Sequence, residues 1–139
     1  MRQKILQITR EWLGTPYHHQ ESQKGIGCDC LGLILGVRRE VYNVGDPEPV
    51  PNYSPSWGDH RTDDPLLNFG EKYFLKVKEP KIGDILLFRM RPNIAVKHCA
   101  ILSDKGIIHS YSNHVVREEH FSNWWKKRLV ASFQFPEKI

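Results

Sequence analysis

A chain of 139 residues is about the size of one domain and long enough to bury a core without disulfide or metal staples. Hydrophobic residues make up 40% and charged residues 26%, which excludes a disordered or fibrous chain, and no segment approaches the roughly 20 apolar residues of a membrane span. The net charge of +4 suits an anionic partner in general and selects none. Three cysteines are an odd number, and Cys28 and Cys30 are separated by one residue, so the sequence predicts reduced thiols rather than a disulfide framework. The basic start Met1-Arg2-Gln3-Lys4 is followed by no apolar stretch of signal-peptide length. The expectation is a chain made in the cytoplasm without a cleavable signal.

Ile5, Ile8 and Trp12, with Leu6 and Leu13 alongside, recur at helical spacing until Gly14-Thr15-Pro16 stops them, predicting a first helix of about three turns. Residues 17–27 are polar and read as a surface loop. The stretch Gly25-Ile26-Gly27-Cys28-Asp29-Cys30 then runs into the apolar Leu31-Gly32-Leu33-Ile34-Leu35-Gly36. That change predicts a helix from Cys30 to Tyr42, capped by Asp29 and buried in its first half. Gly32 and Gly36, four apart, share a helix face and predict a close neighbour there. Pro47, Pro49, Pro51 and Pro55, with Tyr53 and Trp57, predict a structured loop, and a helix is predicted from Asp63 to Phe74.

The pattern then turns strand-like. Strands are predicted over Leu75–Lys78, Ile85–Met90, Val96–Ser103, Ile107–Tyr111, Val115–Glu118 and Leu129–Phe135, with a short helical turn at Trp124-Trp125. Asp104-Lys105-Gly106 marks a hairpin. Helices first and antiparallel strands after is an α+β order, read here as a single domain over residues 1–139.

Cys30 would sit at the positive end of a helix, beside amides that lack helical acceptors, and both features favour the nucleophilic thiolate. The alternative is a small buried residue packed at a helix start. His98 and His109 lie mid-strand among apolar neighbours. If the hairpin loop is the pair Asp104-Lys105, His98 lies opposite Tyr111 and His109 opposite Ala100. The two histidines are then diagonal neighbours on one face, roughly 7–8 Å apart between backbones. A three-residue loop would break this parity. Nucleophile, base and orienting group would then be present, although each histidine alone also reads as a hydrogen-bonded, half-buried residue. A metal site is a second reading, since Cys28, Cys30, His98 and Cys99 are soft ligands. Against it, Cys-x-Cys is shorter than structural zinc spacing, and His98 and Cys99 should point to opposite faces of a strand.

Five motifs appear in one order: Trp12-Leu13-Gly14-Thr15-Pro16-Tyr17, Gly27-Cys28-Asp29-Cys30-Leu31-Gly32-Leu33, Pro80-Lys81-Ile82-Gly83-Asp84-Ile85-Leu86-Leu87-Phe88, Lys97-His98-Cys99-Ala100-Ile101-Leu102 and Ile108-His109-Ser110-Tyr111. Together they resemble the NlpC-type, papain-like cysteine peptidases that cut peptidoglycan stem peptides. More narrowly they resemble the branch encoded with phage and gene-transfer-agent tails, as does the ending with Trp124-Trp125 and Phe133-Gln134-Phe135-Pro136.

The resemblance implies a papain-like α+β fold, with helices and a helix-start nucleophile packed on an antiparallel sheet. It implies Cys30 as nucleophile, His98 as general base and His109 as the third residue. Tyr17 matches a tyrosine near the nucleophile that helps the oxyanion, and Asp29 a residue that helps receive the free amine of the stem peptide. Leu31 departs from the usual Ser, His18-His19-Gln20 from the expected Gly-Gly, and Cys99 from a small or apolar residue. The implied partners are the stem peptide and tail or baseplate proteins, with no nucleic acid, cofactor or metal, and action at the cell wall as part of a phage-like particle. The alternatives are a structural tail protein with the same fold, or a papain-like amidase or acyltransferase. Trp124-Trp125-Lys126-Lys127-Arg128 reads as aromatic core followed by a solvated basic helix end.

Overall fold

The computed structural model describes residues 1–49 and 64–139. Most of the expected proline-rich loop, from residue 50 on, lies outside the described residues, as does the start of the predicted third helix.

Helix α1 (Arg2–Arg10) buries Ile5, Leu6 and Thr9 on one face. It is shorter than its hydrophobic spacing predicts. Residues 11–15 close as successive tight turns, with Trp12 N–H donating to Thr9 O at 3.0 Å and Thr15 N–H to Trp12 O at 3.0 Å. The polar segment expected to be a loop contains a small hairpin, β1 (Ser22–Gln23) and β2 (Gly27–Cys28). Strands of two residues are too short to show an alternating pattern.

Helix α2 (Cys30–Tyr42) has the predicted bounds. Asp29 caps its start, accepting a hydrogen bond from the Gly32 amide, and Asn43 ends it in the left-handed conformation (φ 54°, ψ 49°). Leu31 through Arg38 are buried, so this helix is the centre of the core. The predicted close neighbours exist. A Cβ on Gly36 would lie 2.1 Å from the Trp12 indole, and one on Gly32 would lie 1.9 Å from the Glu21 carbonyl oxygen. Helix α3 (Pro65–Tyr73) begins with a proline in its first turn, where the missing N–H costs nothing.

Six strands follow: β3 (Leu75–Val77), β4 (Ile85–Phe88), β5 (His98–Leu102), β6 (Ile107–His109), β7 (Arg117–Glu119) and β8 (Leu129–Gln134), with helix α4 (Asn123–Lys126) before the last. They form one antiparallel sheet in the order β3-β8-β4-β5-β6-β7. Alternation divides its side chains between two cores. Ile85, Leu87, Cys99, Ile101, Ile108 and Phe133 belong to the large helix-side core, and Leu86, Phe88, Ala100 and Ile107 to a smaller one closed by Trp125.

In the β5–β6 hairpin, Ile101 opposes Ile108 and Leu102 opposes Ile107. Ser103 and Gly106 exchange backbone hydrogen bonds of 2.8 and 3.4 Å, leaving Asp104-Lys105 as a two-residue loop. Gly106 adopts φ +146°, and a Cβ there would lie 1.9 Å from the carbonyl oxygen of Glu119 on β7. Two expectations shift. β7 starts later than predicted because Val115 pairs with Pro16 rather than with β6. β5 also starts later than predicted: strand geometry begins only at His98, and Val96 joins the helix-side core.

Candidate active site

Asp29 and the loop before it set the position of Cys30. Asp29 is extended (φ −98°, ψ −172°) and buried, and its Oδ1 accepts from the Gly32 amide at 2.8 Å. Its Oδ2 accepts from the Gln20 amide at 2.8 Å, with His19 Nδ1 at 4.0 Å. One carboxylate therefore caps the helix and ties down the His18-His19-Gln20 segment. The Asp29 amide itself donates to Glu21 O at 3.2 Å. Of the amides at the helix start, those of Cys30 and Leu31 keep no helical acceptor. Cys30 is half-buried, and its Sγ donates to the carbonyl of Lys97, the residue before His98, at 3.7 Å.

Tyr17 is bridged through its backbone to Cys28. Burial first, then the negative charges of Cys30 and Asp29, push its phenol up to about 12. It is therefore a neutral hydrogen-bond donor near Cys30.

On the opposite side of β5, the two-residue hairpin loop brings the histidines together. His98 Nε2 and His109 Nδ1 are 2.8 Å apart, and both residues are buried. The His98 ring stacks on Trp125 (5.2 Å, 30°), with Tyr111 and Phe88 at 5.3 and 6.0 Å. Burial, and then the neighbouring His109, hold His98 well below the ordinary imidazole value; burial also lowers His109, against the opposing pull of Glu119. Both rings are therefore neutral bases near neutral pH. Because Nε2 of His98 is taken by His109, Nδ1 is the nitrogen left for another partner.

The network extends one residue further than sequence reasoning reached. His109 Nε2 lies 3.5 Å from Glu119 Oε1, and Glu119 also accepts from Trp125 Nε1 at 3.1 Å and from Arg117 Nε at 2.7 Å. Glu119 is one residue past the predicted end of its strand, so no sequence pattern singled it out. The signal that would have found it is the β6–β7 register, which places His109 opposite Arg117 and Ile107 opposite Glu119.

The other thiols have different surroundings. Burial pushes Cys28 up to about 12, and its carbonyl accepts from Ser110 Oγ at 2.8 Å. Cys99 is raised well above the usual thiol range by its contact with the Cys30 sulfur and by burial. Among the described residues, no three His, Cys, Asp or Glu side chains converge as metal ligands. No helix among the described residues is long and apolar enough to cross a membrane.

Comparison with known proteins places this geometry. The NlpC/p60 domain of the peptidoglycan hydrolase SagA superposes with a TM-score of 0.64 at 20% identity, over 97% of this chain and 99% of that one. A Staphylococcus aureus protein described as similar to a lipoprotein of the NLP/P60 family gives 0.63 at 18% identity, and NlpC1 from Trichomonas vaginalis gives 0.65 at 17%. Each is matched over 96% of this chain, which spans 40% and 43% of their lengths. A search of curated protein sequences returned no match. The solved structures share the papain-like arrangement of helices on an antiparallel sheet. With residues 14–134 matching the family itself, the chain belongs to the NlpC/P60 family.

Proposed function

We propose that this protein is a cysteine peptidase that hydrolyses amide bonds in peptidoglycan stem peptides, with Cys30 as nucleophile, His98 as general base and His109 orienting it. Family membership and the fold shared with a peptidoglycan hydrolase domain support the substrate class. The observation that carries the reading is the 2.8 Å bond between His98 on β5 and His109 on β6, next to the Lys97 carbonyl that accepts from the Cys30 thiol.

The Cys30 proton passes to His98 Nδ1 as Sγ attacks the carbonyl carbon. For this Sγ turns from the Lys97 carbonyl toward the ring, an adjustment typical of a site without substrate. The oxyanion meets the helix-start amides and the Tyr17 hydroxyl. The C–N bond then breaks, and the leaving amine takes the proton from His98. Water, deprotonated by His98, attacks the thioester and releases the acid and the Cys30 thiol. Asp29 helps receive the free amine of the stem peptide. Leu31, buried in the core, supplies no hydroxyl to that contact.

Digestion of purified sacculi tests the reading. New amino termini and shortened stem peptides are expected by mass spectrometry; cleavage of casein with sacculi left intact would overturn it. The order of the five sequence motifs supports a finer proposal, action at the cell wall as part of a phage-like tail. Wall-degrading particles that lack this chain would refute that part alone.

A further inference from the structure

We infer that Glu119 is a positioning residue of this site, which fixes the proton order of both imidazoles from the far end of the Cys30-His98-His109 chain. The inference rests on the peptidase reading above and adds a residue to it.

His109 is fully buried, and its Nε2 makes no hydrogen bond of ordinary geometry. Glu119 Oε1, at 3.5 Å, is the acceptor placed against it. A buried N–H is strongly driven to keep an acceptor. An ionised carboxylate accepts and never donates, so it selects the tautomer with the proton on Nε2. Nδ1 of His109 is then bare and accepts the Nε2–H of His98 across 2.8 Å. Nδ1 of His98 is bare in turn and free to take the Cys30 proton. The reverse order, with the proton on His109 Nδ1, would put the His98 proton on Nδ1 and leave no base facing the thiol. One carboxylate thus decides whether the site has a base at all.

Three features hold Glu119 to that task. Arg117 and Trp125 bind it at 2.7 and 3.1 Å, which steadies the carboxylate. Trp125 also stacks on His98, so the same residue holds the ring that walls in the base. Gly106, lacking a Cβ, lets the Glu119 backbone lie against the hairpin. Burial opposes its charge, but His109, Trp125 and Arg117 keep its carboxyl below the usual range.

The groups that face these rings set the sign of the test. His109 faces His98 on β5, Glu119 and Arg117 on β7, and His114 from the β6–β7 connection; His98 faces His109, and the Cys30 thiol on α2 contacts the carbonyl of Lys97 just before it. Losing the Glu119 charge weakens His109 as a proton acceptor, losing the Arg117 charge strengthens it, and either change reaches His98 through the 2.8 Å bond between the rings. The experiment measures alkylation of Cys30 by iodoacetamide against pH in the full chain, with the alkylated site confirmed by mass spectrometry. Histidine tautomers are read in parallel by ¹⁵N NMR.

Wild type should show the Nε2–H form of both histidines. Glu119→Gln should alkylate about tenfold more slowly near neutral pH, with mixed tautomers, and the acidic limb of its sacculus hydrolysis should move to lower pH. Arg117→Gln should move that limb the other way and keep the wild-type tautomers. A wild-type His109 protonated on Nδ1, or variants whose limbs both stay in place, would overturn the inference. The wild-type and Arg117→Gln measurements decide the matter even if Glu119→Gln does not fold. Intact sacculi together with the expected tautomers would remove the peptidase reading and leave the relay; hydrolysis with unshifted limbs would do the reverse.

Discussion

The two faces of the central sheet are built from the same alternating strands and do different work. The helix side is large and aliphatic, with Ile5, Leu33, Val37 and Phe133 fully buried around α2. Its titratable members, Cys28 and Cys99, are thiols that burial helps keep protonated. The other face is small and aromatic, and it encloses two imidazoles beside Phe88, Tyr111 and Trp125. Aliphatic burial supplies stability without direction. Aromatic walls bury a ring equally well while fixing its plane, which proton transfer requires. The first face positions Cys30 through the Asp29 carboxylate cap, and the second holds the two imidazoles neutral.

Removing the nucleophile should have the largest effect. Cys30→Ala should lower turnover on the order of 10⁴-fold or more, as loss of a nucleophile does in such triads. Cys28→Ala, on the same side of the sheet, should retain activity once shown folded. If Cys28→Ala is dead while Cys30→Ala turns over, the helix-side face holds a different nucleophile from the one assigned here.

On the aromatic face, His109→Ala should cost about 10²–10⁴-fold in turnover, the usual worth of acid–base assistance. His109→Asn should lose considerably less, because an amide carbonyl that reaches His98 can still accept its proton. A folded His109→Ala with wild-type rate would make His109 a packing residue.

The converse substitution separates stability from chemistry. Gly36→Ala places a methyl against the Trp12 indole and should destabilise the chain by about 1–3 kcal/mol. Activity per folded molecule should stay unchanged. The measurements are urea unfolding and active-site titration, and a loss of rate without loss of stability would blur the division between the faces.

Acid should expose the smallest difference. His98 and His109 have folded values below the 6.5 of an unfolded imidazole. As pH falls below about 6.5 the unfolded chain therefore takes up protons that the folded chain refuses, and stability declines. The decline ends once the folded rings protonate. Glu118 and Glu119, whose folded values lie below the usual 4.5, add a separate loss at lower pH. Melting temperature against pH should therefore show a slope below 6.5 that His98→Asn reduces. An unchanged slope would mean that the aromatic face does not hold the rings neutral.

Where information was local, the sequence was enough. Asp29 before an apolar run marks the start of α2, because capping chemistry is contained within a few positions. At Asp104-Lys105-Gly106 the sequence leaves two loop lengths open, and the structure adopts the two-residue loop whose parity pairs the histidines. Non-local facts were out of reach. Glu119 meets His109 only through the β6–β7 pairing, and the connection between those strands carries no length rule. The β1–β2 hairpin is held by backbone bonds and by the Asp29 carboxylate's grip on Gln20, neither of which leaves a hydrophobic period. Of the Trp124-Trp125 pair expected in the core, only Trp125 is buried, where its stacking on His98 depends on where α4 lands; Trp124 is exposed, with the Arg128 guanidinium over its ring.

The strand order has a kinetic consequence. β8, last in the chain, lies between β3 and β4, so neither neighbour can complete its pairing until residues 129–134 are in place. From β4 to β7 each strand pairs with the next in the chain, and the loops between them close first at lower entropic cost. The histidine pair should thus assemble early, while β3 and the open flank of β4 wait with unpaired edges that invite association between nascent chains. A refolding experiment followed by hydrogen exchange would show protection at Ile101 and Ile108 ahead of Lys76 and Phe133.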